Sequence, residues 1–245
     1  MVGRSPGVRT VFATGANRGL GLEITKQLLE RGERVLGACR VPAAAAELHA
    51  LAQTHPGRLD VIELDVARPQ SIDAAAAATR RLTAKIDLLF NVAGTKGNLG
   101  PDPSQNLSRV FGEVEAASMA EIFAVNTTGP LLVVQALRPL LRGAAVINIT
   151  SSMGSNGLMN RGDWYGYRAS KAALNIVSHA LSFDLRNEAT IVVAMHPGWV
   201  KTAMGTEDAP YQLAASVTSL LGVVDRLTPE DSGKYLNWRG EELPW

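Results

Sequence analysis

Short runs rich in β-branched and apolar residues alternate along this chain with longer runs rich in alanine and leucine. The short runs Val8–Thr14, Arg34–Cys39, Leu59–Leu64, Ile86–Asn91, Ala145–Thr150 and Thr190–Met195 read as strands. Between them, Leu20–Arg31, Ala43–Thr54, Pro69–Thr83, Ser118–Leu141 and Tyr167–Asn187 read as helices. The first helix carries Leu20, Ile24 and Leu28 at helical spacing and stops at Gly32. Pro69 stands at the start of its helix, where its missing N–H does no harm. Such alternation implies an α/β fold with a parallel sheet and helices on both faces. Several strands are apolar throughout, as a doubly covered sheet requires. A further short strand is expected at Tyr235–Asn237, after a short helix. Gly94–Phe111 and Val200–Ala209 read as loops, the second as a mobile one. There is no linker or repeat, and the alanine run Ala74–Ala78 reads as a helix packed closely on the sheet. Residues 1–245 are therefore expected to form one domain, with substrate loops at about 95–112, 153–165 and 200–222.

Composition narrows the function. Hydrophobic residues make up 46% of the chain and charged residues 19%, enough for a core and ordinary for a globular protein. The net charge of +1 argues for neither nucleic acid nor an acidic surface as partner. The single cysteine, Cys39, excludes an internal disulfide and argues against thiolate metal ligation. His49, His55 and His179 show no ligand spacing, so no metal is expected. Met1–Thr10 is short and polar and lacks the apolar run of a signal peptide. No uncharged apolar stretch reaches about 18 residues. A soluble, cytoplasmic protein without a membrane partner is expected.

Thr14-Gly15-Ala16-Asn17-Arg18-Gly19-Leu20-Gly21 links the first strand to the first helix. Glycines let the backbone turn sharply there and approach a pyrophosphate. The free N–H groups and dipole of the helix that follows favour that anion. The bland alternative is a tight structural turn. An acidic residue at the end of the second strand would select the ribose 2′-OH and repel a 2′-phosphate. Cys39-Arg40 stands there instead, and Arg18 lies in the glycine turn. Two arginines suit charge-assisted pairing with a phosphate. NADP(H) is therefore expected over NAD(H), unless both arginines are solvated surface charges.

Tyr167-Arg168-Ala169-Ser170-Lys171 puts a tyrosine and a lysine at i and i+4, on one helical face. A tyrosine with a pKa of about 10 is a poor acid–base group at neutral pH. A nearby ammonium would stabilise the phenolate and lower that value. Tyr165 has Ala169 at i+4 and so lacks such a partner. Asn126 falls inside a helical run although asparagine competes for backbone groups. That position marks either a kink or a functional side chain. His196 precedes a proline at a strand end and is a weak candidate base.

The G-x-x-x-G-x-G spacing, Asn126, the serine pair Ser151-Ser152 and the Tyr167/Lys171 pair together resemble the short-chain dehydrogenase/reductase family from Val8 to about Thr202. His196–Pro210 and the closing Asn237–Trp245 are similar to the sniffer and C-factor-like carbonyl reductases of that family. The resemblance implies a Rossmann fold, doubly wound. It implies cofactor contacts from Gly15, Asn17, Arg18, Gly19, Leu20, Gly21 and Arg40, and from Asp65 and Val66 after the third strand. It implies further contacts from Asn91, Ala93 and Gly94, where Val92 replaces the family's second asparagine, and from Tyr167 and Lys171. Pro197, Gly198, Val200 and Thr202 would lie beside the nicotinamide. Ser151, three residues before Gly154, would orient the substrate carbonyl, with Ser152 the alternative. Asn126 would hold a water that links Lys171 to solvent. A homodimer or homotetramer through the helices at Ser118–Leu141 and Tyr167–Asn187 is the family's habit.

The expected activity is NADPH-dependent reduction of a ketone or aldehyde, or its reverse, with Tyr167 as proton donor and acceptor. Met153, Trp164, Trp199 and Met204 are expected to line an apolar substrate pocket, unless they pack in the core or at a subunit contact. Two rivals share the fold: an epimerase or lyase, and an NADPH-binding signalling protein with little turnover. The short C-terminus argues against the first, and the intact Asn126, Ser151, Tyr167 and Lys171 set argues against the second.

Overall fold

In a computed structural model of the protein, which describes residues 7–97 and 108–245, seven parallel strands form one sheet in the order β3-β2-β1-β4-β5-β6-β7. In chain order the main elements are β1 (Thr10–Thr14), α1 (Gly19–Glu30), β2 (Arg34–Cys39), α2 (Ala46–Thr54), β3 (Leu59–Glu63), α3 (Pro69–Leu82) and β4 (Leu88–Asn91). They continue with α4 (Ala116–Phe123), α5 (Gly129–Leu137), β5 (Ala145–Ile149), α6 (Tyr165–Asp184), β6 (Ile191–His196), α7 (Leu213–Val224) and β7 (Tyr235–Asn237).

The period of two along each strand divides the core into two halves. Val11, Ala13, Leu88, Phe90, Ile147 and Val193 face one side, where Ile24 and Leu28 of α1 and Val217, Leu220 and Leu221 of α7 cover them. Phe12, Leu36, Leu89, Val146 and Val192 face the other, under α3, α5 and α6. This is the parallel sheet covered on both faces that the alternation predicts, in the doubly wound Rossmann order that the family resemblance implies. The strand order reverses between β1 and β4, and ligand crevices of such sheets open there, at the carboxyl ends of the strands.

Four local expectations change. The helix read over Ser118–Leu141 runs over Ala116–Leu140 but is not regular: a π turn at Ala124–Thr128 joins α4 to α5, and a 3₁₀ turn follows at Arg138–Leu140. The run Ala116–Leu140 is long and apolar enough by composition to cross a membrane. Here its Ile122, Val133, Val134 and Leu137 are buried within the fold. Helix α2 begins at Ala46, after a 3₁₀ turn at Pro42–Ala44. Helix α6 begins two residues before Tyr167. The loop expected over about 200–222 ends at α7, whose apolar face packs on α1, so only its first part is irregular. That part is tied down by Lys201 N–H to the Tyr211 carbonyl and by Gly205 and Thr206 N–H to the Thr202 carbonyl. The loop expected over about 95–112 falls partly outside the described residues.

Candidate active site

The glycine turn closes the carboxyl end of β1. Gly15 has φ +66° and lies against Ala93, so a Cβ would come within 3.0 Å of the Ala93 Cα. Gly19 has φ +53°, and its Cβ position is 4.0 Å from Thr202 Cγ2. A Cβ on Gly21 would stand 2.2 Å from the Gly15 carbonyl oxygen. The turn thus folds back on itself and meets the loops after β4 and β6. Helix α1 starts with Arg18 at its N-cap, no capping side chain and no acidic residue in the first turn. Its leading N–H groups are left for an anion. Asn17 and Leu20 are half-buried, and Leu20 packs on the core. Arg18 and Arg40 are exposed, and among the described residues neither forms an ion pair.

Sequence reasoning overlooked Thr14. Its buried hydroxyl accepts from the N–H groups of both Val92 and Ala93, at 3.0 Å each, and holds the turn after β4 against β1. A hydroxyl at a strand end carries no periodic signal. Asn91 donates to Asn148 Oδ1 at 2.8 Å, and Asn148 donates to Ser178 Oγ at 2.9 Å, a buried polar link from β4 through β5 to α6. Asp65 turns to its own backbone and neighbour: it accepts from Ala67 N–H and pairs with Arg68 at 3.4 Å. Buried Val66 abuts the start of α5, where a Cβ on Gly129 would come 2.7 Å from its carbonyl oxygen.

The π turn sets Asn126 at the centre of the site. Such turns shift the register of a helix and often mark functional positions. The Asn126 amide clamps the Thr95 backbone, accepting from Thr95 N–H and donating to the Thr95 carbonyl, both at 2.8 Å. It also donates to Ser170 Oγ at 3.0 Å. The Cβ position of Gly94 is 3.4 Å from Asn126 Oδ1 and 3.7 Å from Lys171 Nζ, so these three residues converge.

Tyr167 and Lys171 lie in the first turns of α6 and are both buried. The Lys171 ammonium donates to the Ile149 carbonyl at 2.8 Å and lies 5.9 Å from the centroid of the Tyr167 ring. The Tyr167 hydroxyl hydrogen-bonds Ser151. Ser151 Oγ also accepts from Met153 N–H at 3.2 Å. Burial pushes the Tyr167 hydroxyl above its ordinary pKa, and the Ser151 hydrogen bond opposes that shift. The lowering expected from the Lys171 ammonium is not what this arrangement gives, because desolvation of the phenol dominates. Burial also brings Lys171 down to about 8 from 10.5.

That shift has a consequence for stability. Between the folded and unfolded values the unfolded chain binds more protons, so the contribution of Lys171 to stability rises with pH across that window. Below it the buried charge opposes folding in full. Lys171→Met should flatten the pH dependence of Tm between about pH 8 and about pH 10 relative to the parent chain. An unchanged slope would mean that the lysine charge is solvated.

The carboxyl end of β6 supplies Pro197, whose carbonyl accepts from Ser216, and Gly198 at φ +85° against Trp238. Val200 is buried, and Thr202 Oγ1 accepts from Gly205 N–H at 3.0 Å. Among the described residues His196 Nδ1, which is buried, has no hydrogen-bond partner, and burial lowers this imidazole to about 4, which makes it a weak base.

The four residues expected to form an apolar pocket are placed less simply. Trp164 adopts φ +51° ahead of α6, and both Lys96 Nζ and the Arg109 guanidinium lie 4.8 Å from its ring centroid. Lys96 also donates to the Met204 carbonyl at 2.6 Å, bridging the loops after β4 and β6. Trp199 is half exposed and donates to the Gly205 carbonyl, and Met153 is half-buried beside Ser151. Lys96 thus bridges the Trp164 ring and the Met204 backbone.

Residues 9–212 match the family model described as short chain dehydrogenase. C-signal of Myxococcus xanthus is 42% identical over 173 residues, covering 69% of this chain and 99% of that protein. The crystal structure of an NADPH-bound carbonyl reductase from chicken fatty liver is 37% identical, with a TM-score of 0.88 over 98% of this chain and 100% of that one. The carbonyl reductase Sniffer of D. melanogaster is 29% identical, with a TM-score of 0.89 over 98% and 100%. With that match over most of its length, on this sheet and around this glycine turn, the chain belongs to the short-chain dehydrogenase/reductase family of oxidoreductases.

Proposed function

We propose that this protein is an NADPH-dependent reductase of ketones or aldehydes, able to run in reverse, with Tyr167 as the group that gives and takes the proton. The observation that carries the reading is the buried Tyr167 hydroxyl, hydrogen-bonded to Ser151 one turn from a buried lysine. The NADPH-bound chicken carbonyl reductase supports the choice of reaction and cofactor. The glycine turn fits a dinucleotide: its backbone is folded too tightly on itself and on Ala93 to carry side chains at Gly15 and Gly21, and the uncapped start of α1 offers donors to a pyrophosphate. Arg18 and Arg40 hold the 2′-phosphate. Gly15, Asn17, Gly19, Leu20, Gly21, Asp65, Val66, Asn91, Ala93 and Gly94 line the rest of the dinucleotide path, and Pro197, Gly198, Val200 and Thr202 close it at the nicotinamide end. When bound, the nicotinamide supplies the hydride.

The chain's own residues supply position and the proton. Ser151 and Tyr167 bind the carbonyl oxygen and stabilise charge as it develops there. A phenol kept neutral by burial holds its proton on Oη, the state that reduction needs. Lys171, already near its own pKa at neutral to mildly basic pH, holds the ribose and returns a proton to Tyr167. Asn126 acts by fixing Thr95, and with it Gly94, beside Lys171. Its side-chain amide is committed to that clamp, so a water near Lys171 would rest on other atoms of the π turn. The substrate enters among Met153, Trp164, Trp199 and Met204. A second reading, binding without turnover in a signalling role, has the likeness to C-signal in its favour.

Loss of reduced-nicotinamide absorbance against a panel of aliphatic and aromatic aldehydes and ketones tests the activity. NADPH that binds but is consumed with none of them, and is not formed from the matching alcohols, would favour the signalling reading. Arg40→Ala should raise the KM for NADPH by about tenfold, the worth of one charge-assisted hydrogen bond, and leave NADH nearly unchanged. Equal losses with both would remove Arg40 from the 2′-phosphate.

A further inference from the structure

Strand β7 and the segment after it have no part in the reaction just described, yet Tyr235 of β7 reaches the reacting serine. At Gly240 the chain turns back on β7: Asn237 N–H donates to the Glu241 carbonyl and Leu243 N–H to the Tyr235 carbonyl, both at 2.8 Å. This return lays Trp245 on the Tyr235 ring, with centroids 5.4 Å apart and planes 30° from parallel. His179 of α6 meets the same indole edge-on at 5.5 Å. Tyr235 is fully buried, and its hydroxyl donates to the backbone carbonyl of Ser151 at 2.7 Å.

The same segment holds the loop that follows Ser151. Buried Ser155 donates from its hydroxyl to the Pro244 carbonyl, and Gly157 N–H donates to the Trp245 backbone oxygen at 3.0 Å. The packing leaves no room for a side chain at Gly157, where a Cβ would stand 2.9 Å from Pro244 Cβ. Residues 151–157 are therefore gripped at both ends, by Tyr235 at the serine and by Pro244 and Trp245 beyond it.

We infer that Tyr235, backed by the stacked Trp245, is a positioning residue that fixes the backbone of Ser151 so that its hydroxyl meets Tyr167 and the substrate oxygen. The Ser151 carbonyl also accepts from Gly154 N–H at 2.8 Å within its own turn, but Tyr235 ties it to β7 from outside the loop, and small misplacements of a reacting group are costly in rate. Burial raises the Tyr235 hydroxyl well above its ordinary pKa, so it remains a donor across the working range. The inference rests on the reading of Ser151 as the residue that orients the carbonyl.

The test combines Tyr235→Phe, Ser151→Ala and the double variant, assayed with NADPH and the carbonyl turned over fastest in the panel. Tyr235→Phe keeps the ring stack and removes only the hydroxyl. It should lower kcat by about tenfold with KM for the carbonyl nearly unchanged, and it should add no further loss to Ser151→Ala. A loss of the same size in both backgrounds would make Tyr235 a general structural residue and overturn the inference. Full turnover in Ser151→Ala would instead sink the serine assignment itself. A second measurement needs no turnover: amide hydrogen exchange in peptides covering 151–158. Trp245→Ala should speed exchange there, and Trp245→Phe should restore protection. Exchange unchanged by Trp245→Ala would refute the grip.

Discussion

Tyr167→Phe should lower kcat by about three orders of magnitude, within the range that a positioned general acid contributes, while the affinity for NADPH stays close to that of the parent chain. The substitution removes one buried hydroxyl and leaves the ring in place, so the fold and the dinucleotide path keep their contacts. What is lost is the hydroxyl proton beside the Ser151 side chain; the buried Tyr235 hydroxyl cannot stand in for it, because it is committed to the Ser151 backbone carbonyl. His196 cannot replace it, since burial has reduced that imidazole to a weak base. Tyr165 cannot either, because it stands in part at the surface, in ring contact with Phe111. Stopped assays for turnover and fluorescence titration for NADPH separate the two quantities. Turnover within about tenfold of the parent would place the proton elsewhere.

Gly21→Ala should damage both stability and cofactor binding although it adds a single methyl group. That methyl would stand 2.2 Å from a backbone oxygen and 2.8 Å from a backbone carbon of Gly15. Neither atom belongs to a flexible side chain, so α1 must move away from the turn. Overpacking of this kind costs about 1–3 kcal/mol, which lowers Tm by about 2–4 °C per kcal/mol in a chain of this size. The same displacement withdraws the first N–H groups of α1 from the place where a pyrophosphate would lie. NADPH affinity should therefore fall by about tenfold or more, since several charge-assisted donors are affected together. Gly57→Ala is the control: a Cβ there meets nothing within 4 Å, though the φ of +74° adds some strain. It should cost stability without touching NADPH affinity. Unaltered binding in Gly21→Ala would mean that the turn is only structural.

The sequence disclosed the parts of the site that local patterns write. Apolar runs of two kinds, a glycine turn between them and a tyrosine four residues before a lysine all depend on neighbours in the chain. The rest depends on distant partners. The π turn at Ala124–Thr128 is stabilised from outside the helix, by Thr95 and Ser170 on the Asn126 amide, so helical periodicity ran straight through it. Thr14 and Tyr235 act through one hydroxyl each on backbone groups that are remote in sequence. The protonation of Tyr167 was misjudged for a related reason: the spacing shows that a cation is near but not how deeply both groups are buried. The substrate side is the least legible. Its loops follow no period, and Lys96 at Trp164 has no sequence signature.

The order of the strands also governs how a nascent chain of this kind behaves. One side of β1 is filled early by β2, which follows directly, but its other side waits for β4. Thr10 and the Asp87 carboxylate that meets it are 77 residues apart. At cellular elongation rates that interval lasts about 4–15 s. Throughout it, an apolar strand with an open edge is available to other chains. Parallel pairing cannot be hurried by a hairpin, so protection during synthesis has to come from helices α1 to α3 or from a chaperone. High-level expression at low temperature, with chaperone support, should therefore raise the yield of folded protein more than changes near the active site would.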